Sequence, residues 1–277
     1  PVIGLQKLIF VVLPNTTMMF VALTLGAAAA FSPAVPAQRV RSVASSPQMM
    51  TKAELEAFAV ECNPVIGYWD PLNLAGIPLW QQDEEAVIGW LRHSEIKHGR
   101  IAMAGFVGYI VHANGLKFPF PGPQSVVPDG LSAPEVWDAI PFLAKLQIIA
   151  AVGVFEHISE DKNFLEADGM KHYMRGGKPG YFPTFKANVH PAPLNLWDPF
   201  GFTKKLTAEQ KAKKLVAETN NGRAAMLALF AFLSESKIPG SVPLLSGIIK
   251  PYDGDYMQPF APAGPDASVW FLGNIWS

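Results

Sequence analysis

The chain has 277 residues, with 22 Lys and Arg against 23 Asp and Glu and a formal net charge of −1. That balance argues against a nucleic-acid partner, which calls for a basic excess to neutralise phosphates, and the single cysteine, Cys62, leaves no intrachain disulfide and no cysteine-rich metal centre. Charged residues are 16% and hydrophobic ones 49%, against roughly a quarter charged in soluble domains, so the composition fits a membrane protein with long loops or a soluble one with an unusually apolar core.

The first segment reads as an address. Leu8–Gln38 carries no charge and Leu8–Phe31 is largely apolar, with Lys7 ahead of it and Ala27–Ala30 offering small residues for cleavage. A stretch with Arg39, Arg41, Ser and Ala follows, without an acid before Glu54. Signal-like and transit-like segments in series resemble the bipartite leader of plastids of secondary origin, with Ala30-Phe31-Ser32-Pro33 as its junction. Residues 1–50 are therefore expected to be a removable leader, with one domain over 51–277.

Three helices are expected in that domain. The first covers about 86–113, after the acidic Asp83-Glu84-Glu85 and before Asn114-Gly115. The second covers about 134–159, with Pro134 in its first turn. The third covers about 207–235, opened by Thr207 and stopped by Pro239-Gly240. The clean apolar stretches, Ile101–Leu116 and Ala224–Ser234, are shorter than the ~20 residues a span needs. They reach that length only if the helices also include Glu95, Lys97 and Arg100, or Glu218 and Arg223. Three crossings place most of the Lys and Arg, including Arg92, Lys162, Lys171 and Lys204, on one side, against Lys117, Lys237 and Lys250 on the other. The positive-inside rule then puts the N-terminus in the stroma and the C-terminus in the lumen.

An internal repeat organises the chain. Glu95-Ile-Lys-His98-Gly99-Arg100-Ile-Ala102-Met103 matches Glu218-Thr-Asn-Asn221-Gly222-Arg223-Ala-Ala225-Met226. Upstream, Trp69-Asp70-Pro71 matches Trp197-Asp198-Pro199. Glu and Arg five residues apart point about 140° away from each other on one helix, so neither satisfies the other there. Inside a membrane each needs a partner. A two-fold relation between the copies supplies it, as Glu95 with Arg223 and Glu218 with Arg100. Gly99, Ala102, Ala104 and Gly108, with Gly222, Ala224, Ala225 and Ala228, provide small residues for the close approach. The fold class is therefore an all-α membrane protein of three transmembrane helices, the first and third crossed as a pseudo-two-fold pair, with long loops.

Glu95 and His98 share one helix face, as do Glu218 and Asn221. Carboxylate, imidazole and amide oxygen are Lewis bases suited to an axial position on magnesium. A lone metal ion needs several convergent ligands, whereas single ligands strung along helices suit a macrocycle that already supplies four nitrogens. On these motifs the sequence resembles the chlorophyll-binding light-harvesting antenna superfamily, in its red-lineage branch of fucoxanthin- or peridinin-type chlorophyll a/c proteins, over about residues 60–260.

The resemblance implies chlorophyll held by Glu95, His98, Gln147, Glu156, Glu218, Asn221 and Glu235, with the magnesium contacts through Glu95, His98, Glu156, Glu218 and Asn221. It implies Arg100 and Arg223 as the cross-brace. The loops of Trp69, Asp70, Pro71, Trp197, Asp198 and Pro199 would hold the ends of two carotenoids. Implied cofactors are chlorophyll a, chlorophyll c and a fucoxanthin- or peridinin-type carotenoid. Implied partners are thylakoid lipids, neighbouring antenna subunits and a photosystem core, with Ser236–Gly247 leaning toward photosystem I.

His112 fits a chlorophyll ligand or an interfacial histidine equally well. His93 and His157 are expected at solvated or headgroup positions. His172 is expected in a loop, as is His190, which could also serve a peripheral pigment. Met103 and Met226 are packing residues at the crossing. Lys204, Lys205, Lys211, Lys213 and Lys214 face lipid headgroups.

No Ser/His/Asp set, phosphate loop or Cys/His cluster is present in the sequence, so the expectation is a pigment carrier and not an enzyme. Two alternatives stay open. A photoprotective relative would expose lumenal acids, for which Asp253, Asp255 and Asp266 are candidates. A small transporter would also use intramembrane ion pairs and repeats.

Overall fold

The computed structural model describes residues 50–117, 127–184, 198, 200–261 and 264–267, all within the compact unit Ser45–Ser277. The leader reading therefore lies outside the described residues, except for residue 50. So do Trp197, Pro199 and His190.

Among the described residues the regular structure is helical, without strands. The helices are α1 (Lys52–Cys62), α2 (Glu84–Ala113), α3 (Ala133–Ala139), α4 (Phe142–Glu160), α5 (Lys162–Ala167) and α6 (Ala208–Lys237). Three of them start on reciprocal caps. Thr51 and Glu54 exchange side chain and backbone at α1, Ser132 and Glu135 do so at α3, and Thr207 and Gln210 at α6. Each box satisfies two of the amide groups that a helix start leaves unpaired. At α2, Glu84 and Glu85 in the first turn complement the helix dipole instead.

The expected second helix, 134–159, is two helices. Pro141 lacks the N–H that would continue α3, and it forces Ile140 into an extended conformation (φ −66°, ψ 136°). The chain restarts at Phe142. By length and apolar character α4 alone qualifies as a membrane-crossing helix among the described residues, with a mean hydropathy of 1.4. It leaves Leu143, Leu146, Ile148, Ile149, Val152, Val154 and Phe155 exposed.

The long helices α2 and α6 cross at two glycines. A Cβ placed on Gly222 would lie 2.9 Å from the Gly99 Cα, and Ala102 and Ala225 are buried beside the crossing. Phe106 stacks on Phe232 at 5.4 Å on the way out. Ala104 and Ala224 do not join the contact as expected. Both are exposed, and Gly108 has no atom within 4 Å of where a Cβ would sit. They lie around the helix from the glycine row, and only the residues that share its face come close.

The C-terminal segment straps the α3–α4 corner. Trp137 Nε1 donates to the Pro259 carbonyl at 3.0 Å, and the Tyr252 hydroxyl donates to Asp138 Oδ2 at 2.8 Å. Beneath them Lys145 donates to Asp266, with both side chains fully buried. Asp266 is thus not the exposed acid that its sequence position suggested. An ammonium in the first turns of an apolar helix needs an anion, and the strap brings one.

Candidate functional site

The crossing brings the repeated motifs face to face. Arg223 Nε donates to Glu95 Oε1 at 2.7 Å, and Arg100 Nε donates to Glu218 Oε1 at 2.7 Å. The same contact is made twice between the same two helices. Neither Glu could reach the Arg of its own motif, so each pair ties α2 to α6. The surroundings of the two pairs differ. Arg100 Nη1 also donates to the Gly180 carbonyl at 2.6 Å. Arg92 Nη1 donates to Glu95 Oε2, and its guanidinium lies 4.6 Å from the centroid of the Phe58 ring on α1.

Arg92, counted from the sequence among the stromal-side charges, is buried within α2. Its spacing of three residues from Glu95 is the signal that places it there. His93, expected at a solvated or headgroup position, is buried as well. Its Nδ1 accepts from the Gly180 amide at 3.1 Å, and its ring stacks on Tyr173 at 3.8 Å. Nothing in the local sequence announces that contact, because Gly180 arrives from a loop 87 residues away.

His98 differs from His93 in the way a ligand requires. It is exposed, and its Nδ1 lies 2.8 Å from the Ser94 carbonyl oxygen. A carbonyl can only accept, so Nδ1 carries the proton and Nε2 keeps its lone pair. The backbone thereby orients the imidazole with its basic nitrogen outward, as it does for histidines that bind metals. Asn221 is exposed at the matching place on α6. Each motif therefore presents a carboxylate braced by guanidinium and a second Lewis base one turn later.

The remaining positions divide. Gln147 and Glu156 are both exposed on α4. Glu156 Oε2 accepts from Lys97 Nζ at 2.7 Å, and the same ammonium reaches Ser159 Oγ at 3.0 Å and Glu160 Oε1 at 3.1 Å. That cluster neutralises Lys97 and links α2 to the far end of α4.

Glu235 is engaged by its own chain. It is buried at 2% exposure, and its two oxygens accept the Gly240 and Val242 amides at 2.9 and 2.7 Å. With no arginine partner among the described residues, the carboxylate caps the turn that follows its own helix. His112 lines a cavity of about 450 Å³ with Tyr109, Trp137, Tyr252 and Tyr256. His172 accepts from the Met174 amide and bonds Glu160 at 2.8 Å. Met103 and Met226 are half-buried.

The repeated loops share one design. Asp70 accepts the amides of Leu74 and Ala75 at 2.8 and 3.0 Å, and Asp198 accepts those of Phe202 and Thr203 at 2.7 and 2.9 Å. The acceptor-to-donor offsets are the same in both. The Ala75 and Leu74 amides hold the Asp70 carboxyl below its usual range, and the Thr203 hydroxyl does so for Asp198. Tyr68 donates to Asp70 at 3.0 Å, and burial pushes its phenol up to about 12. Trp69, Phe200 and Phe202 stand exposed on these loops.

Comparison with known proteins gives a consistent picture. A family profile described as chlorophyll A-B binding protein matches residues 53–237. A chloroplastic fucoxanthin-chlorophyll a-c binding protein of Trieres chinensis is 32% identical over 230 residues, covering 81% of this chain and 96% of the relative. A fucoxanthin-chlorophyll a-c binding protein F of Phaeodactylum tricornutum is 32% identical over 219 residues, covering 77% and 92%. A fucoxanthin-chlorophyll a-c binding protein E of Macrocystis pyrifera is 32% identical over 202 residues, covering 71% and 80%.

Proposed function

Because the chain belongs to the chlorophyll A-B binding protein family, a family of light-harvesting antennae and not of enzymes, we propose that it binds chlorophyll a, chlorophyll c and a fucoxanthin-type carotenoid in the thylakoid membrane and passes excitation to a photosystem. The named relatives are chloroplastic and bind these pigments by their names. The observation that carries the reading is the doubled crossing of α2 and α6. It sets a braced carboxylate and a second Lewis base on each helix, with the His98 Nε2 lone pair pointing outward.

In this reading residues 51–277 form the antenna domain. The helices α2, α4 and α6 span the bilayer, α2 and α6 being related by a pseudo-two-fold axis, with the N-terminus stromal and the C-terminus lumenal. Glu95, His98, Glu218 and Asn221 hold chlorophyll magnesium at the crossing. Gln147 and Glu156 serve α4, and His112 serves the aromatic cavity. The loops pinned by Asp70 and Asp198 take the ends of two carotenoids. Pigments and lipid cover the apolar residues that α4 exposes, which agrees with its polar links to α2 through Lys97. When bound, the pigments supply the light absorption. The protein fixes their spacing and surroundings.

Two observations weigh against the alternatives. Asp266 is buried on Lys145, which removes one of the acids a proton-sensing quencher would expose. At the crossing the helices meet backbone to backbone, which leaves no aqueous path there for a transporter. The test is pigment extraction with time-resolved fluorescence of the purified protein. Long-lived chlorophyll emission transferred to an added photosystem core supports the reading, with photosystem I as the first core to try. A colourless protein, or emission quenched as the pH falls, overturns it.

A further inference from the structure

We infer that Arg92 makes the two carboxylate sites of the crossing unequal, by placing on Glu95 a second guanidinium that Glu218 lacks. The inference rests on the ligand reading above and adds to it which of the matched sites is electrostatically distinct. Glu95 accepts at both oxygens, from Arg223 and from Arg92. Glu218 accepts from Arg100 at Oε1, and its Oε2 has no hydrogen bond among the described residues. The repeat explains the difference. Arg92 stands three residues before Glu95, and the residue three before Glu218 is Leu215.

Arg92 is held there by more than its acid. It is 4% exposed and packed over Phe58 of α1. The α1 helix is itself tied to α6, because Asn220 Nδ2 donates to the Cys62 carbonyl at 3.0 Å. The Arg92–Glu95–Arg223 group carries one net positive charge, whereas the Arg100–Glu218 pair carries none. In a site poor in water a net charge at hydrogen-bond range is weakly screened. A carboxylate that accepts from two guanidiniums is also a poorer electron donor to a third group. A chlorophyll held by Glu95 would therefore meet a positive field and a weakened ligand, while one held by Glu218 would meet neither. Arg92 acts through Glu95 as a positioning and tuning residue, and α1 is the lever that keeps it in place.

The experiment uses the full chain refolded with chlorophylls and carotenoid, and reads chlorophyll per chain together with low-temperature absorption. Glu95→Leu with Arg223→Leu removes one carboxylate and its cross-brace, and locates the band of that site. Glu218→Leu with Arg100→Leu locates the other. Arg92→Met is expected to keep the chlorophyll count and to shift the first band alone. Leu215→Arg is expected to shift the second band alone, and it decides the matter if Arg92→Met fails to assemble. Loss of no chlorophyll in the two double variants would sink the ligand reading itself. Loss of chlorophyll there, with bands unmoved in Arg92→Met or, failing its assembly, in Leu215→Arg, would overturn the role of Arg92 and leave the ligand reading standing.

Discussion

Gly99 and Gly222 put two helix backbones in direct contact. A methyl group on Gly99 would lie 3.1 Å from the Gly222 Cα, and one on Gly222 would lie 2.9 Å from the Gly99 Cα. The atoms met are backbone and cannot swing aside. Gly222→Ala should therefore push the helices apart and cost about 1–3 kcal/mol, as overpacking does. Gly108→Ala, with open space around the added carbon, should be tolerated. Thermal denaturation followed by circular dichroism would check both; an unchanged midpoint in Gly222→Ala would contradict the contact.

The two ion pairs should respond differently to charge reversal. Exchanging Glu218 and Arg100 (Glu218→Arg with Arg100→Glu) keeps one acid and one base in contact. It should be better tolerated than Glu218→Arg alone, which sets two guanidiniums together. Exchanging Glu95 and Arg223 places the new arginine beside Arg92, so the rescue there should be weaker. Removing one partner of a well-buried pair costs roughly 3–5 kcal/mol, and less is expected at pairs whose side chains remain about a quarter exposed, such as Glu95 and Glu218. Assembly yield and thermal midpoint of the single and double variants measure the difference. Equal rescue at both pairs would argue that Arg92 does not act on Glu95.

How much of this was legible in the sequence follows from what each feature depends on. The crossing was legible because the repeat supplies two acids and two bases that cannot pair within their own helices. The ends of α2 and α6 were legible to within two residues because Asp83, Thr207 and Pro239 act locally. The break at Pro141 is equally local, but Pro134 gives the helix a start of its own and draws the expected helix across the break. The burial of Arg92 on Glu95 was not legible because hydropathy treats a guanidinium as solvated and ignores an acid three residues on. The partners of His93 and Lys145, Gly180 and Asp266, lie 87 and 121 residues away, outside the long helices. No periodicity carries such contacts.

Glu235 offers a test that separates a cap from a ligand. Its oxygens hold the Gly240 and Val242 amides, so Glu235→Ala leaves two donors unpaired at a helix end. The expected cost is about 1–3 kcal/mol, with chlorophyll per chain unchanged in the variant that still assembles. Loss of one chlorophyll in Glu235→Gln, which keeps a side chain of the same length, would reverse the assignment.

The aspartates of the repeated loops predict an acid-side weakness. Asp70 and Asp198 both have lowered proton affinity when folded. Such groups stabilise fully above the unfolded carboxyl range, roughly pH 4, and that contribution is lost as the pH falls through the lower folded value. Both loops should therefore hold at any pH above about 5 and loosen together below about 4. Hydrogen-exchange protection of the Leu74, Ala75, Phe202 and Thr203 amides across that range would show it. Loosening already at neutral pH would mean that the carboxylates do not hold these turns.

The Lys145–Asp266 pair is the most deeply enclosed charge pair described, with both side chains inaccessible to solvent. The ammonium is further tied to the Asp138 carbonyl at 3.1 Å, and Asp266 accepts the Ala261 amide at 3.0 Å. Lys145→Met would leave a buried carboxylate without its cation and should cost about 3–5 kcal/mol. Lys145→Met with Asp266→Leu removes both charges and should recover much of that loss, because the cost of an isolated charge exceeds the net value of the pair. A double-mutant cycle on thermal stability measures the coupling. The Tyr252 and Trp137 contacts hold the same strap to α3, so the single variant should also raise hydrogen exchange in the strap around Phe260 and Ala261. A cycle that is additive within about 0.5 kcal/mol would mean that the strap is held by packing alone.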